Sequence, residues 1–313
     1  LERGVQLVSG ARVRRLEVNE RGLVTGAHWV DRQGQEHFQR AGVTILAANG
    51  IGTPRLLQLS ATDRHAEGLA NSSGLVGRRL MMHPFGTVVG LFDDDLDSTH
   101  GPWGQHLHCL QFYETDASRG FVRGAKWGLQ PTGGPVSMTR AYPWGAENSI
   151  WGAGFHEGIR KRLGRSAMWG IIAEDLPDEE NRVVLDPTLT DGDGIPAPKI
   201  IYRMSENSHR LLEFHLARAK ESLEAAGASE TVVAPLIRET GWHLLGTCTM
   251  GTDPETSVVD AWGRTHDIPN LFIFDGSIWP TSSGMNPTAT IAALALRCTE
   301  HLVENRGAQE TPA

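Results

Sequence analysis

Ile291, Leu294, Ala295, Cys298 and Leu302 recur at i, i+3, i+4, i+7 and i+11, the spacing of one face of an amphipathic helix. The residues before them predict how that helix is entered. Asn270-Leu271-Phe272-Ile273-Phe274-Asp275 reads as a strand and Gly276 to Met285 as a Ser-, Thr- and Gly-rich turn. Asn286 is then placed to cap the helix and Pro287 to sit in its first turn, where a missing N–H costs nothing. A second strand, turn and helix reads from the buried run Val43 to Ala48, through Asn49-Gly50-Ile51-Gly52-Thr53-Pro54, into Arg55 to Leu59. There Thr53 is the expected N-cap and Pro54 the first helical residue.

The rest of the chain is strand-rich. From Gly4 to Leu46 apolar and polar residues alternate between Gly-rich and charged turns, which predicts a short β-meander. From Leu80 to Arg203 short aromatic-rich segments (Leu107 to Tyr113, Ser166 to Glu174, Arg182 to Asp186) predict a separate, mainly antiparallel domain. A helix follows, capped by Ser205 or Asn207, with Leu212, Leu216, Ala219 and Leu223 on its apolar face and Gly227 at its end. The 313 residues suffice for roughly two domains of ~150 residues. The expected fold class is therefore α/β (α+β), with boundaries at 1–79, 80–240 and 241–313.

Charge and composition exclude several functions. Lys and Arg number 29 against 37 Asp and Glu, a net charge of −8, so no electrostatic grip on nucleic acid or anionic lipid is expected. The longest weakly polar run, Thr288 to Leu296, is far shorter than the ~20 apolar residues of a membrane span. A soluble chain, cytoplasmic or periplasmic, is expected. Cys109, Cys248 and Cys298 are widely spaced and odd in number, which suggests no disulfide framework. His106-x-His108-Cys109 offers two ligands on one strand face, too few for a metal site. The acidic run Asp93-Asp94-Asp95-Leu96-Asp97 lacks the spacing of a calcium loop. No metal is expected.

Two features carry chemistry. His243 lies in a Gly-bounded segment beside Trp242, a setting that can hold an imidazole at the edge of a cleft. The strand ending in Asp275-Gly276 and the helix opening at Asn286-Pro287-Thr288 point unpaired N–H groups and a positive helix end at one spot. A phosphate or a flavin could use it. His156, Trp151 and Trp169 are further candidates for facing a substrate.

These residues support a resemblance. His243-Leu244-Leu245-Gly246-Thr247-Cys248-Thr249-Met250-Gly251, Val258-Val259-Asp260, Pro269 to Ser277 and Asn286-Pro287-Thr288 together resemble the carboxyl-terminal signature of the glucose-methanol-choline (GMC) oxidoreductases. Ala47 to Leu57 resembles that family's second signature, while Gly77 to Pro84 and Asn181-Arg182-Val183 resemble two further landmarks. The resemblance implies an FAD-binding Rossmann-like domain interrupted by an antiparallel-sheet substrate domain, and an enzyme that oxidises a CH–OH group. It implies His243 as the catalytic base with Asn286 as its partner. Asp275, Gly276, Asn286, Pro287 and Thr288 would line the isoalloxazine and ribityl side, Ala48, Asn49 and Gly52 the diphosphate or adenosine side, and Val13 the adenine. His83 is expected to serve structure.

The family's Gly-x-Gly-x-x-Gly loop, which lets the backbone approach a pyrophosphate, is absent. The expectation is that an amino-terminal flavin-binding segment is missing from this stretch, which alone would be inactive. Trp262-Gly263-Arg264-Thr265-His266-Asp267 and Asp275-Gly276-Ser277 look closer to bacterial polyol and sugar-acid dehydrogenases of the family. Expected partners are a small alcohol or polyol substrate and an electron-acceptor protein or quinone. Two alternatives remain, a non-catalytic fragment and, because of nine Trp, a carbohydrate-binding module.

Overall fold

The computed structural model describes residues 3–100, 104–131, 134 and 152–306. The expected meander is present. β1 (Arg12–Val18), β2 (Val24–Val30) and β3 (Glu36–Arg40) pair antiparallel in chain order. β4 (Thr44–Leu46) then runs parallel beside β12 (Leu271–Ile273), so the chain's two strand–turn–helix units meet edge to edge. Asn270 fastens this pair to the meander: its side chain accepts from Val24 N and donates to the carbonyls of Val24 and Gly42. Of the run expected to be buried, Leu46 is, whereas Ile45 is 44% exposed.

The helix after β4 starts earlier than its sequence predicts. α1 spans Asn49–Leu59, so Pro54 lies inside it and Thr53 is not its cap. Asn49, at φ 65°, does the capping, its Oδ1 accepting from the N–H groups of Ile51 and Gly52. Pro54 cannot donate to the carbonyl of Gly50. That carbonyl accepts instead from the hydroxyl of Thr247, which ties α1 to the segment carrying His243.

The second layer is a five-stranded antiparallel sheet in the order β11-β5-β8-β7-β6. Its strands are β5 (Phe85–Leu91), β6 (Leu107–Cys109), β7 (Ala125–Pro131), β8 (Ser166–Ala173) and β11 (Glu230–Ala234). A short helix α2 (Phe155–Arg162) precedes β8. The long helix α3 (Glu206–Ala225) is capped by Ser205, whose hydroxyl accepts from Ser208 N, and Gly227 follows its end at φ 97°. Leu211, Leu212, Leu216, Ala219 and Leu223 of α3 pack with Val88, Trp127, Trp169 and Ile171 into one core. Trp169 is therefore a core residue, 7% exposed with its indole N–H on Ser222, and does not face a substrate. His156 is exposed on α2, and Trp151 lies outside the described residues.

The ribbon of β9 (Arg182–Thr190) and β10 (Pro196–Ile201) lies against α1. Arg55 bonds Asp191 and the carbonyls of Ile195 and Pro196, and Gln58 donates to the Val183 carbonyl. The last helix, α4 (Thr288–Glu304), buries Cys298 with Ala295 and Leu302 against Phe272 and Phe274. Its N-cap is Pro287, not Asn286, and no side chain caps it. Asn286 is otherwise engaged.

Candidate active site

His243 owes its position to backbone register. Met81 and Leu245 exchange both hydrogen bonds of an antiparallel bridge, at 3.0 and 3.1 Å. Two residues further along one strand and two back along the other, His83 stands opposite His243. The close approach is possible because Gly246 (φ 91°) brings its α-carbon against the Arg79 carbonyl, where an added Cβ would sit 2.4 Å from that oxygen. Gly276 likewise lies against the Leu244 carbonyl.

The two imidazoles touch. His83 Nδ1 and His243 Nδ1 are 2.6 Å apart with the rings nearly perpendicular, at 76°. His83 is buried, its Nε2 is 3.4 Å from the Ser282 carbonyl, and burial first, then the neighbouring His243, hold its pKa down at about 4. It is neutral at pH 7. A carbonyl only accepts, so the single proton of neutral His83 belongs on Nε2 and its Nδ1 is an acceptor. His243 must then donate from Nδ1, which leaves its Nε2 as a bare lone pair. Burial, and after it the charge of Lys126, also lowers the pKa of half-buried His243. The network thus leaves the His243 Nε2 lone pair without a partner inside the pair.

A buried carboxylate supports the pair. Asp175 accepts from Met82 N, Leu176 N, Tyr202 Oη and Ser208 Oγ, and its own N–H and carbonyl both bond Ser282 Oγ. It fixes the residue before His83 and the residue whose carbonyl faces His83. Burial pushes its pKa up, although every bond it accepts favours the charged form.

Asn286 is exposed at the entrance to α4, and its Oδ1 accepts from Lys126 Nζ. Lys126, on β7, is 2% exposed and also donates to Gln105 Oε1 at 2.6 Å. A capping role does not explain Asn286.

Beside these groups the two turns expected to meet a cofactor are clipped together by Asp275. Its Oδ2 accepts from Asn49 N and from Thr53 Oγ1 (2.6 Å), and its Oδ1 from Ser277 N. The carboxylate is buried and used internally. Ala48 and Asn49 are exposed and Gly52 partly so, as are Thr288, Ala289 and Thr290 in the uncapped first turn of α4, over buried Pro287. Val13 stands on β1 opposite Trp29, 39% exposed. The structure also brings to this place His83, which the sequence reading expected to serve structure, and Lys126, Gln105 and Asp175, which it did not single out. For Lys126 there was a signal, a cation between Ala125 and Trp127 at the start of a strand whose first four residues are all buried.

Two family models, both described as GMC oxidoreductase, match residues 1–85 and 177–295. The chain belongs to the GMC oxidoreductase family. It is 38% identical over 306 residues to 2-methyl-1,2-propanediol dehydrogenase of Mycolicibacterium austroafricanum, covering 96% of this chain and 54% of that protein. It is 31% identical over 303 residues to the fructose dehydrogenase large subunit of Gluconobacter japonicus, with coverage of 96% and 54%. The chain thus spans about half the length of the curated relatives it matches. Among solved structures, pyridoxine 4-oxidase from Mesorbium loti superposes with a TM-score of 0.61 at 19% identity, over 94% of this chain and 57% of that one. A formate oxidase from Aspergillus oryzae, studied for FAD modification, gives 0.59 at 17% identity over 95% and 60%. At these identities the shared property is the fold.

Proposed function

We propose that this chain carries the catalytic face of an FAD-dependent oxidoreductase that converts a CH–OH group to a carbonyl, with a small polyol or related alcohol as substrate. GMC oxidoreductases are FAD-dependent flavoenzymes, and the residues present fit that group. The first turn of α4 ends in exposed, uncapped N–H groups, a positive end suited to the electron-rich part of a flavin. Asp275 fixes the 48–53 turn through Asn49 N and Thr53 Oγ1. Bound FAD supplies the acceptor for the hydride that leaves the carbinol carbon.

The chain's own residues handle the proton. His243 Nε2 accepts the hydroxyl proton, and the Nδ1–H bond to His83 steadies the imidazolium that results. Asn286 offers its amide N–H to the oxygen as negative charge grows there. The carrying observation is the His83–His243 hydrogen bond, which fixes both the orientation and the tautomer of the base. Residues 1–79 and 241–313 form the flavin side and 80–240 the substrate side in this reading. The names of the diol and fructose dehydrogenases among its relatives point to a polyol or sugar, and in this reading an electron-acceptor protein or quinone takes the electrons onward.

The test is an anaerobic titration of the flavin-loaded, full-length protein with vicinal diols, sugars, sugar acids and simple alcohols, read by visible absorption. Bleaching by one class, retained flavin but little bleaching in His243→Ala, is expected. Absence of bleaching with every class overturns the reading.

A further inference from the structure

Lys126 is a buried cation with no carboxylate partner among the described residues. Burying an ammonium without a counter-charge is costly, so its place calls for a reason. The backbone around it is rigid: β7 is hydrogen-bonded on both edges, to β8 and β6, with Lys126 opposite Ile172. Its Nζ reaches two side-chain amides. Both bonds run through the amide oxygens, Gln105 Oε1 and Asn286 Oδ1, as they must, because Nζ here donates.

An amide held by its carbonyl presents its NH2 on the other side. Asn286 Nδ2 has no hydrogen-bond partner among the described residues, and the residue is exposed at the mouth of α4. A free Asn side chain can turn over and offer oxygen instead of NH2 at almost no cost. An Asn bonded to Lys126 cannot, because the flip would set NH2 against the ammonium.

We infer that Lys126 is a positioning residue of this site: anchored in the sheet and by Gln105, it locks the Asn286 amide so that NH2, not the carbonyl, meets the reacting oxygen. The inference rests on the alcohol-oxidation reading given above and adds to it a residue from the opposite layer. A second consequence is electrostatic. Lys126 is the charged group whose field acts on His243, and it acts on His83 along with the His243 ring and the Ser282 and Ser283 carbonyls. Its positive charge disfavours protonation of both rings, so the base stays neutral and ready to more acidic pH.

Lys126→Met and Gln105→Leu, with His243→Gln as reference, test this in the flavin-loaded, full-length protein. Burying an ammonium without a counter-charge is costly and an apolar side chain of similar length carries no such cost, so Lys126→Met is expected to fold with an unchanged or higher Tm. Its flavin reduction at saturating substrate should slow by about tenfold to a hundredfold with little change in KM, less than removal of the donor itself. The acid limb of the rate profile should move to higher pH. Nitrogen-15 NMR titration of the histidines without substrate should show the same upward move of the His243 pKa. Lys126→Arg, which keeps charge and donors, should recover part of the rate, and Gln105→Leu should lie between Lys126→Met and the parent. A Lys126→Met protein with the parent's rate, pH profile and histidine titration overturns the inference. So does one whose only change is a lower Tm. If His243→Gln itself leaves reduction unchanged, it is the oxidation reading that falls.

Discussion

The two layers of this molecule are finished to different degrees. In the five-stranded sheet every residue of β5 is buried and all but one of β8, with the long helix α3 covering the face that carries Trp127 and Trp169. The parallel pair β4–β12 has only three residues in each strand. Ile45 on that pair is 44% exposed, and on the outer face of α4 Leu296 and Val303 are 67% and 59% exposed. Yet the candidate reacting groups, His243 and Asn286, belong to this sparer layer, and side chains from the sheet side, Lys126 of β7 with Gln105 before β6 and His83 before β5, reach across to them. In the proposed reaction the difference is a division of labour: the sheet is a stiff reference surface, and the loops of the other layer, held to it at the His83–His243 bridge, carry the proposed reacting groups.

If that division is right, substitutions in the two layers should separate activity from stability. His243→Ala should slow flavin reduction by ~10²–10⁴, the usual worth of a general base, with flavin content and Tm near those of the parent. A large fall in Tm would mean that the histidine pair holds the layers together and would break the comparison. Leu211→Ala makes the opposite case. Leu211 is fully buried under the sheet, so the truncation should cost about 2–5 kcal/mol in denaturant unfolding, while the rate per folded molecule barely changes.

The expected α/β layer and the antiparallel sheet were legible because periodicity and turn chemistry report locally on what each segment buries. The α4 face and the Ser205 cap are examples. The start of α1 was not, because the sequence shows Thr53-Pro54 as a good helix opening and gives no hint that Thr247 would relieve the Gly50 carbonyl. Asn286 misled in the same way. Its local merit as a cap is real, but a lysine 160 positions away claims its carbonyl. In the candidate site, His243 and Asn286 stand in motifs that the sequence displays, whereas His83 facing His243 depends on the register of Met81 against Leu245, a fact of tertiary structure. The Asp175 cluster joins Met82, Tyr202, Ser208 and Ser282, which no single stretch of sequence displays.

Acid offers a way to load both layers at once. Burial holds His215, beneath the sheet and accepting from the Trp127 indole, at a pKa of about 4, with a further push from Arg119. His83, at the seam, has the same value. Both lie below the ordinary 6.5, so the unfolded chain takes up these protons first. Stability from them is complete above about pH 6.5 and is lost as pH falls through 4, by up to about 3 kcal/mol for each histidine. Urea unfolding between pH 7 and 4 should show this slope, and His83→Asn should remove roughly half of it. A slope unchanged by His83→Asn would mean that the seam histidine is not protected and that the acid sensitivity resides in the sheet layer alone.

The smallest effect tests the sparse face itself. Leu296 has neighbours on α4 that are also open, Ala292 and Ala293 among them, so in this 313-residue chain Leu296→Glu removes little packing. Its cost in denaturant unfolding should stay within about 0.5 kcal/mol, the range of exposed substitutions away from special features. Glu is also a good helix former. A cost above about 1 kcal/mol, especially one that grows with protein concentration, would show that this face is covered by a second copy in solution. The contrast between a finished and an unfinished layer would then describe the isolated chain and not the assembled one. Repeating the measurement at two concentrations tenfold apart separates these cases, because packing within one chain is independent of concentration and packing between chains is not.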